Sequence, residues 1–204
     1  MKYYIGMLIS LIGLYVFGTI LKTDYVIPLK IVFSVAFFIT AFLWEYSVLN
    51  KSFESEFKIR SQKKTINLFD IGMATFWTLY ILLWSDFRES FSYLIFVFWV
   101  IPLNEFIMWF IYKKKKPFTI FIKDNELILN KRWILKRNLN ELTQIQYDRW
   151  SKNLKLDFKT KREISIKSTE YKTEEIQKLL EILIEKSENN VFVPNNYKPN
   201  IKNS

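Results

Sequence analysis

The sequence predicts a membrane α-helical fold, four transmembrane helices, followed by a small C-terminal α+β domain in which an antiparallel sheet is capped by one helix. Three observations carry this. Four continuous apolar stretches fill the first 112 residues, the hydrophobic pattern changes to period two after Pro117, and charge is divided unequally between the halves. The chain has 204 residues, with 30 Lys and Arg against 20 Asp and Glu, a net charge of +10. Up to Tyr112 there are 9 bases and 8 acids, and after it 21 and 12, so a near-neutral apolar half precedes a basic one. The chain has no Cys and no His. That excludes disulfides, zinc fingers, thiol nucleophiles, iron-sulfur ligands, His-assisted nucleophilic catalysis and imidazole metal sites. All four glycines (Gly6, Gly13, Gly18, Gly72) lie in the apolar half. The basic half therefore cannot hold a P-loop or dinucleotide fingerprint, whose backbone must approach phosphate without a Cβ in the way. No enzyme activity, cofactor or metal is expected.

The apolar stretches are residues 4–21, 31–49, 66–84 and 91–112. Each is near the roughly 20 residues that a helix needs to cross about 30 Å of hydrocarbon. The first follows Lys2 but ends Phe17-Gly18-Thr19-Ile20-Leu21-Lys22, without a small-x-small cleavage site, and reads as an uncleaved anchor. Helices of a soluble core would show a polar stripe every third or fourth residue, and residues 31–43 have almost none.

Loop charge sets the orientation. Lys51, Lys58, Arg60, Lys63 and Lys64 fill the second connection, and the fourth helix runs into Lys113, Lys114, Lys115 and Lys116. The first connection is short, with Asp24 between Lys22 and Lys30, and the third, residues 85–90, is net negative. Bases are held on the cytoplasmic side, which puts both termini there. Tyr3, Tyr4, Tyr25, Trp44, Tyr46, Trp84, Trp109 and Tyr112 fit an interfacial belt. Lys30 and Glu45, near the two ends of the second helix, can snorkel and need no function.

Asp70, Asn104 and Glu105 are the intramembrane polar candidates. Asp70 lies about 6 Å inside the third helix and Glu105 about 10 Å before the end of the fourth, just after Pro102, which removes a donor to the Phe98 carbonyl. One reading is a polar pocket for a cation, a proton or a lipid amine, as in a small transporter or channel component. The other is structural, with Glu105 protonated or hydrogen-bonded and fixing how the helices pack.

The C-terminal domain, residues 117–186, shows six strand-like segments: 118–122, 126–130, 132–137, 142–147, 153–159 and 162–167. Leu154, Leu156, Phe158, Ile164 and Ile166 point one way and Lys155, Asp157, Lys159, Glu163, Ser165 and Lys167 the other, the signature of half-buried antiparallel strands. Short connections at Asp124-Asn125, Asn130-Lys131, Ser151-Lys152-Asn153 and Thr160-Lys161 make a meander. A helix follows, with Thr173 as N-cap, Glu174 and Glu175 at its positive end, and Ile176, Leu179, Leu180 and Leu183 as its apolar stripe through Lys186. The tail, residues 187–204, holds Pro194, Pro199 and one short apolar piece, Val191-Phe192-Val193, and is expected to be mobile.

A hairpin from Phe118 to Asn130, a basic third strand, the stretch Asn138-Leu139-Asn140-Glu141-Leu142-Thr143-Gln144-Ile145, two further strands and a final amphipathic helix resemble the bacterial pleckstrin-homology-like domains attached to membrane helices, including the YcxB-like group. The resemblance covers about residues 117–186 and rests on element order and apolar pattern. It implies a strongly bent sheet capped by the helix and facing the cytosol of a bacterial cytoplasmic (inner) membrane protein. That fold has seven strands. The seventh lies hidden around residues 138–142, or the domain departs from the pattern.

Charge is what this domain offers a partner. Lys113, Lys114, Lys115 and Lys116, with Lys131, Arg132, Lys136, Arg137, Lys161 and Arg162 (and Lys159 at the end of the fifth strand), are candidates for an anionic lipid surface, each juxtamembrane base contributing about 1 kcal/mol. The plainer reading is a stop-transfer signal and solvated strand faces. Bases interleave with Trp133 and Trp150, but these rings are expected to be packed or membrane-facing, because a domain a few residues from a bilayer has little room for nucleic acid, and none is expected. The sequence thus predicts a non-enzymatic scaffold, sensor or recruiting protein that contacts membrane lipids and a protein partner or further copies of itself.

Overall fold

The computed structural model describes residues 2–20, 26–83, 93–187 and 191–193, which divide between two compact units. The first comprises Met1–Val48 and Lys64–Lys114, the second Leu49–Lys63 and Lys115–Ser204. Expectations at Lys22, Asp24, Tyr25, Trp84, residues 85–92, Pro194 and Pro199 fall outside the described residues.

The first unit is helical: α1 (Lys2–Tyr15) continuing into a wider π-helical turn (Val16–Ile20), α2 (Val26–Leu49), α3 (Leu68–Leu83) and α4 (Tyr93–Lys115). Each covers an expected span. Two of them, α2 over Ile27–Leu49 and α4, are long and apolar enough to cross a membrane, whereas α1 and α3 are shorter apolar helices of 14 and 16 residues. Small residues bring α1 and α2 close. A Cβ on Gly13 would lie 2.5 Å from the Phe33 ring, and one on Gly6 would lie 2.9 Å from Thr40 Cγ2. This is how helices associate where lipid leaves no hydrophobic drive between them. Between α3 and α4 the contact is aromatic and polar, with Trp77 stacked on Phe98 at 5.5 Å and the Trp99 indole N–H donating to Thr78 Oγ1 at 2.9 Å.

Among the described residues the second unit holds seven strands. A sheet in the order β1 (Phe57–Arg60), β2 (Phe118–Lys123), β3 (Glu126–Asn130) and β4 (Ile134–Asn138) accompanies a second of β5 (Leu142–Asp148), β6 (Asn153–Phe158) and β7 (Ile164–Lys167), all antiparallel. The helix α5 (Thr173–Lys186) packs Ile176, Leu179, Leu180 and Leu183 into the core formed by both sheets. Six strands and the helix match the alternation read from the sequence. Thr173 is not the cap, however: it is the first helical residue, and Lys172 occupies the cap without a side-chain bond. Asp124 and Lys152 take positive φ in the turns, at 50° and 52°, so a lysine stands where Asn or Asp was expected.

The seventh strand is not around residues 138–142, where Leu139–Glu141 forms a 3-10 turn. It is β1, from the connection between α2 and α3, and it lies against β2 with Phe57 opposite Ile122 and Ile59 opposite Ile120. Ile59 is fully buried in the core. Further bonds hold the segment: Glu56 N–H to Ile122 O at 3.0 Å, Ser61 N–H to Pro117 O at 2.9 Å and Asn130 Nδ2 to Lys51 O at 2.9 Å. The domain delimited as 117–186 therefore lacks its first strand, and residues 49–63 belong to it. The tail contributes as well. Phe192 forms a parallel bridge to Gln144, donating to Thr143 O at 2.9 Å and accepting from Ile145 N–H at 3.1 Å, while Val191 and Val193 pack against the core. That piece of the expected mobile tail is an added edge to the second sheet.

Candidate functional site

Hydrogen bonds define the two ends of the β unit. At one end, Gln62 N–H donates to Glu170 O at 2.7 Å, Ser61 N–H to Pro117 O, and Lys131 Nζ meets Glu170 Oε2 at 2.6 Å. Ser168, in the short turn after β7, donates from N–H and from Oγ to Lys152 O at 3.0 and 2.7 Å. The β3–β4 turn, the β5–β6 turn, and the points where the chain runs on toward α3 and from α4 thus share one end. At the other lie the β2–β3 turn, the 3-10 turn and the β6–β7 turn. They are joined by Leu139 N–H to Asn125 O at 2.7 Å, Lys159 N–H to Glu141 O at 2.9 Å and Thr160 Oγ1 to Glu141 Oε2 at 2.6 Å.

This geometry splits the basic cluster read from the sequence. Arg132 lies at the end from which the chain continues to the helices. Lys161 and Arg162 lie at the opposite end. Lys136 and Arg137 pair with Ile128 and Leu127 along β4, and Lys136 approaches Glu126 at 3.6 Å. Lys113, Lys114, Lys115 and Lys116 are exposed. Lys131 is engaged in the fold: it pairs with the buried Glu170 and lies 5.5 Å from the Tyr171 ring. Burial disfavours its ammonium, but Tyr171 and Glu170 outweigh that and hold its pKa above the ordinary lysine value. Burial raises the Tyr171 hydroxyl above its ordinary value, partly offset by Lys131 and by Thr119 at 3.0 Å.

The sequence singles out Arg149 and Trp150 only as a base interleaved with an aromatic, and Lys152 only as part of a turn; the fold puts all three at this end. Trp150 is 99% exposed. The signal was present as Asp148-Arg149-Trp150-Ser151, a large aromatic in a polar turn, but only the fold sets it beside the β3–β4 turn. At the far end, Lys186 Nζ bonds Glu56 Oε2 and Asp124 O, each at 2.7 Å, and this lysine holds the Glu56 carboxyl below its ordinary pKa.

In the helical unit, Asn104 and Glu105 are both buried, as the sequence places them. Glu105 Oε2 accepts the Asn67 N–H at 2.9 Å, and Asn67 itself stands at the start of α3, its Oδ1 accepting from Phe69 N–H at 3.2 Å. A carboxylate there satisfies a helix-start N–H and lies at the positive end of the helix dipole. Asp70 is in the first turn of the same helix. Glu45 does not snorkel: it is 2% exposed and ion-paired with Lys64, whose ammonium also lies 6.0 Å from the Tyr112 ring. The approach to α3, residues 64–67, is therefore held by a carboxylate from α2 and another from α4. Asn104 Oδ1 and Ser34 Oγ are buried without a hydrogen-bond partner among the described residues. Among these residues no group of three or more Asp or Glu could hold a metal. Comparison with protein-family models, with curated proteins and with solved structures finds no match to this chain.

Proposed function

We propose that this chain is a four-span integral membrane protein of a bacterial cytoplasmic membrane. Both termini are cytoplasmic, and its cytosolic pleckstrin-homology-like domain acts non-enzymatically, as a scaffold or recruiting surface on an anionic leaflet. The observation that carries it is the pairing of β1 with β2. Between these strands the chain runs through α3 and α4, so both ends of that stretch are on one side of any membrane and the crossings between them are even in number. If α4 spans, α3 spans too, although its 16 residues reach only about 24 Å. A short span is accommodated by bilayer thinning or flanking residues at modest cost. The apolar surfaces agree. In α2 and α4 only 11% and 28% of the apolar window is buried in the protein, whereas the core helix of a soluble protein is mostly buried. On α1 and α3, Ile5, Leu8, Ile12, Phe69, Phe76 and Leu79 point outward. The bases flanking β1 and following α4 then lie on the cytoplasmic side, with the N-terminus beside them.

Seven strands and a closing helix support the pleckstrin-homology-like reading, with the first strand supplied from a membrane loop. The chain passes between this domain and the helical unit at three places. Crosslinking in native membranes tests the role. Recovery of a protein partner or a second copy through the domain supports scaffolding. The competing transport reading draws on the unpaired Asn104 Oδ1; it requires that Glu105→Gln abolish activity while substitutions in the β unit do not.

A further inference from the structure

We infer that the end of the β unit holding the β3–β4 and β5–β6 turns is a docking face for an anionic bilayer surface, with Trp150 as its interfacial anchor and Trp133 at the same end. The inference rests on the four-span reading above. Trp150 is 99% exposed and Trp133 51%. At 99% exposure the Trp150 indole has no packing role in the chain. The turn that presents it is nevertheless built: Asp148 Oδ1 accepts from Trp150 N–H at 3.0 Å and Ser151 N–H at 3.3 Å, and Oδ2 accepts from Ser151 Oγ at 2.8 Å. Those bonds hold the Asp148 carboxyl below its ordinary pKa, and Arg149 and Lys152 of the same turn are exposed. Ser168 locks Lys152 to the turn that also meets Gln62, and Glu170 links that turn to Lys131, one residue from Arg132.

The partner follows from position and chemistry. From this end the chain reaches Lys64 of the helical unit two residues after Gln62, and the last residue of α4, Lys115, is two residues before Pro117. The two segments that leave this end of the β unit therefore enter the helical segments within a few residues. Tryptophan prefers the headgroup level, where its apolar ring and its N–H are both accommodated. Arg132, Arg149 and Lys152 complement phosphate-bearing headgroups, an attraction that fades within a Debye length. Lys161 and Arg162, at the opposite end, are excluded from the face.

The chain has no cysteine, so single-cysteine variants need no background substitutions. Trp150→Cys and Lys161→Cys, each carrying a nitroxide on the full-length protein, are reconstituted in phosphatidylcholine vesicles with or without phosphatidylglycerol. The ratio of oxygen to nickel-chelate accessibility is read by power saturation. The expected result is a several-fold higher ratio at 150 than at 161, larger with phosphatidylglycerol and reduced at high salt. Loss of bromolipid quenching in Trp150→Ser, relative to wild type, checks the native indole. Equal, water-like ratios at both positions in a chain that resists carbonate extraction overturn the anchor and leave the four-span reading standing. Release by carbonate overturns both. Shielding of position 150 from oxygen and nickel alike in native membranes, with a water-like ratio in vesicles, points to a protein partner and overturns the bilayer assignment.

Discussion

Truncating Ile59 is the most direct test of how the β unit is assembled. Ile59 is fully buried, opposite Ile120, in a core shared with Leu127, Leu139 and the α5 stripe. Replacing a buried Ile by Ala removes its transfer free energy and leaves a cavity, at a cost of about 2–5 kcal/mol. Against the 5–15 kcal/mol that holds a typical domain together, that is a large fraction. It corresponds to an opening equilibrium roughly 30-fold to several thousand-fold larger. The neighbouring Lys58 is exposed and lies over the Phe118 ring at 4.7 Å, so Lys58→Ala should cost no more than about 1 kcal/mol. Native-state hydrogen exchange on the full chain in nanodiscs, resolved over β2 and β3, reads the difference. Ile59→Ala should accelerate exchange across both strands, while Lys58→Ala should leave it nearly unchanged. If Ile59→Ala changes protection of β2 by no more than Lys58→Ala does, β1 is not part of the sheet. The even-crossing argument for α3 and α4 then falls with it.

A fragment beginning at Pro117 should be markedly less stable to urea than one in which residues 50–63 are joined ahead of it by a flexible linker, because only the second covers the edge of β2. Equal midpoints would show β1 to be dispensable. In the helical unit, Glu105→Gln keeps an acceptor for the Asn67 N–H and should preserve folding, whereas Glu105→Leu strands a partly buried donor and should cost about 1–3 kcal/mol, read as a lower unfolding temperature in detergent. Lys131 and Tyr171 both have folded pKa values above their ordinary ones. The folded unit therefore holds protons that the unfolded chain releases; its stability is full below about pH 10 and falls as pH rises through the folded values. Tyr171→Phe should flatten part of that alkaline decline in thermal melts. Glu56 has the opposite sign. Its folded pKa is depressed by Lys186, so its contribution is present above about pH 4.5 and is lost as pH falls below, and Lys186→Ala should remove that acid dependence.

The six strands after Pro117 and the last helix were legible because each alternates or repeats over enough residues to outweigh turn composition, as Leu154, Leu156 and Phe158 do on β6. The candidate site was legible in its residue types but not in its grouping. Nothing in linear order distinguishes Arg132 from Arg162, and only the links through Ser168 and Glu170 put Arg132 with Lys152 and set Arg162 at the far end. Glu45 was misread for a related reason. Four residues before the end of a helix, a carboxylate is free to reach water, and its pairing with Lys64 depends on where the next helix begins. Glu105 is buried. Its partner, a backbone N–H at the start of α3, has no sequence signal.

The hidden strand shows how one segment can satisfy two demands whose sequence signatures overlap. Phe57-Lys58-Ile59-Arg60 alternates apolar and basic residues. Ile59 is buried in the core and Phe57 half-buried against it, while Lys58 and Arg60 face outward, 4.7 and 4.5 Å from the Phe118 ring. In the proposed topology the outward bases would also hold this loop on the cytoplasmic side. A strand buried on one face leaves the other free for charge, so the topology signal and the sheet pairing use different faces of the same four residues. Reading the bases alone finds a loop, and reading the alternation alone finds too short a strand. Replacing Lys58 and Arg60 together by Gln separates the two demands. The apolar face is retained, so the sheet should still close, while the loop's cytoplasmic retention weakens. Correctly oriented chains should then show wild-type protection over β2, and any inverted fraction, detected by protease access to the β unit from outside the cell, should be unable to pair β1 with β2 unless residues 118–167 are inverted as well.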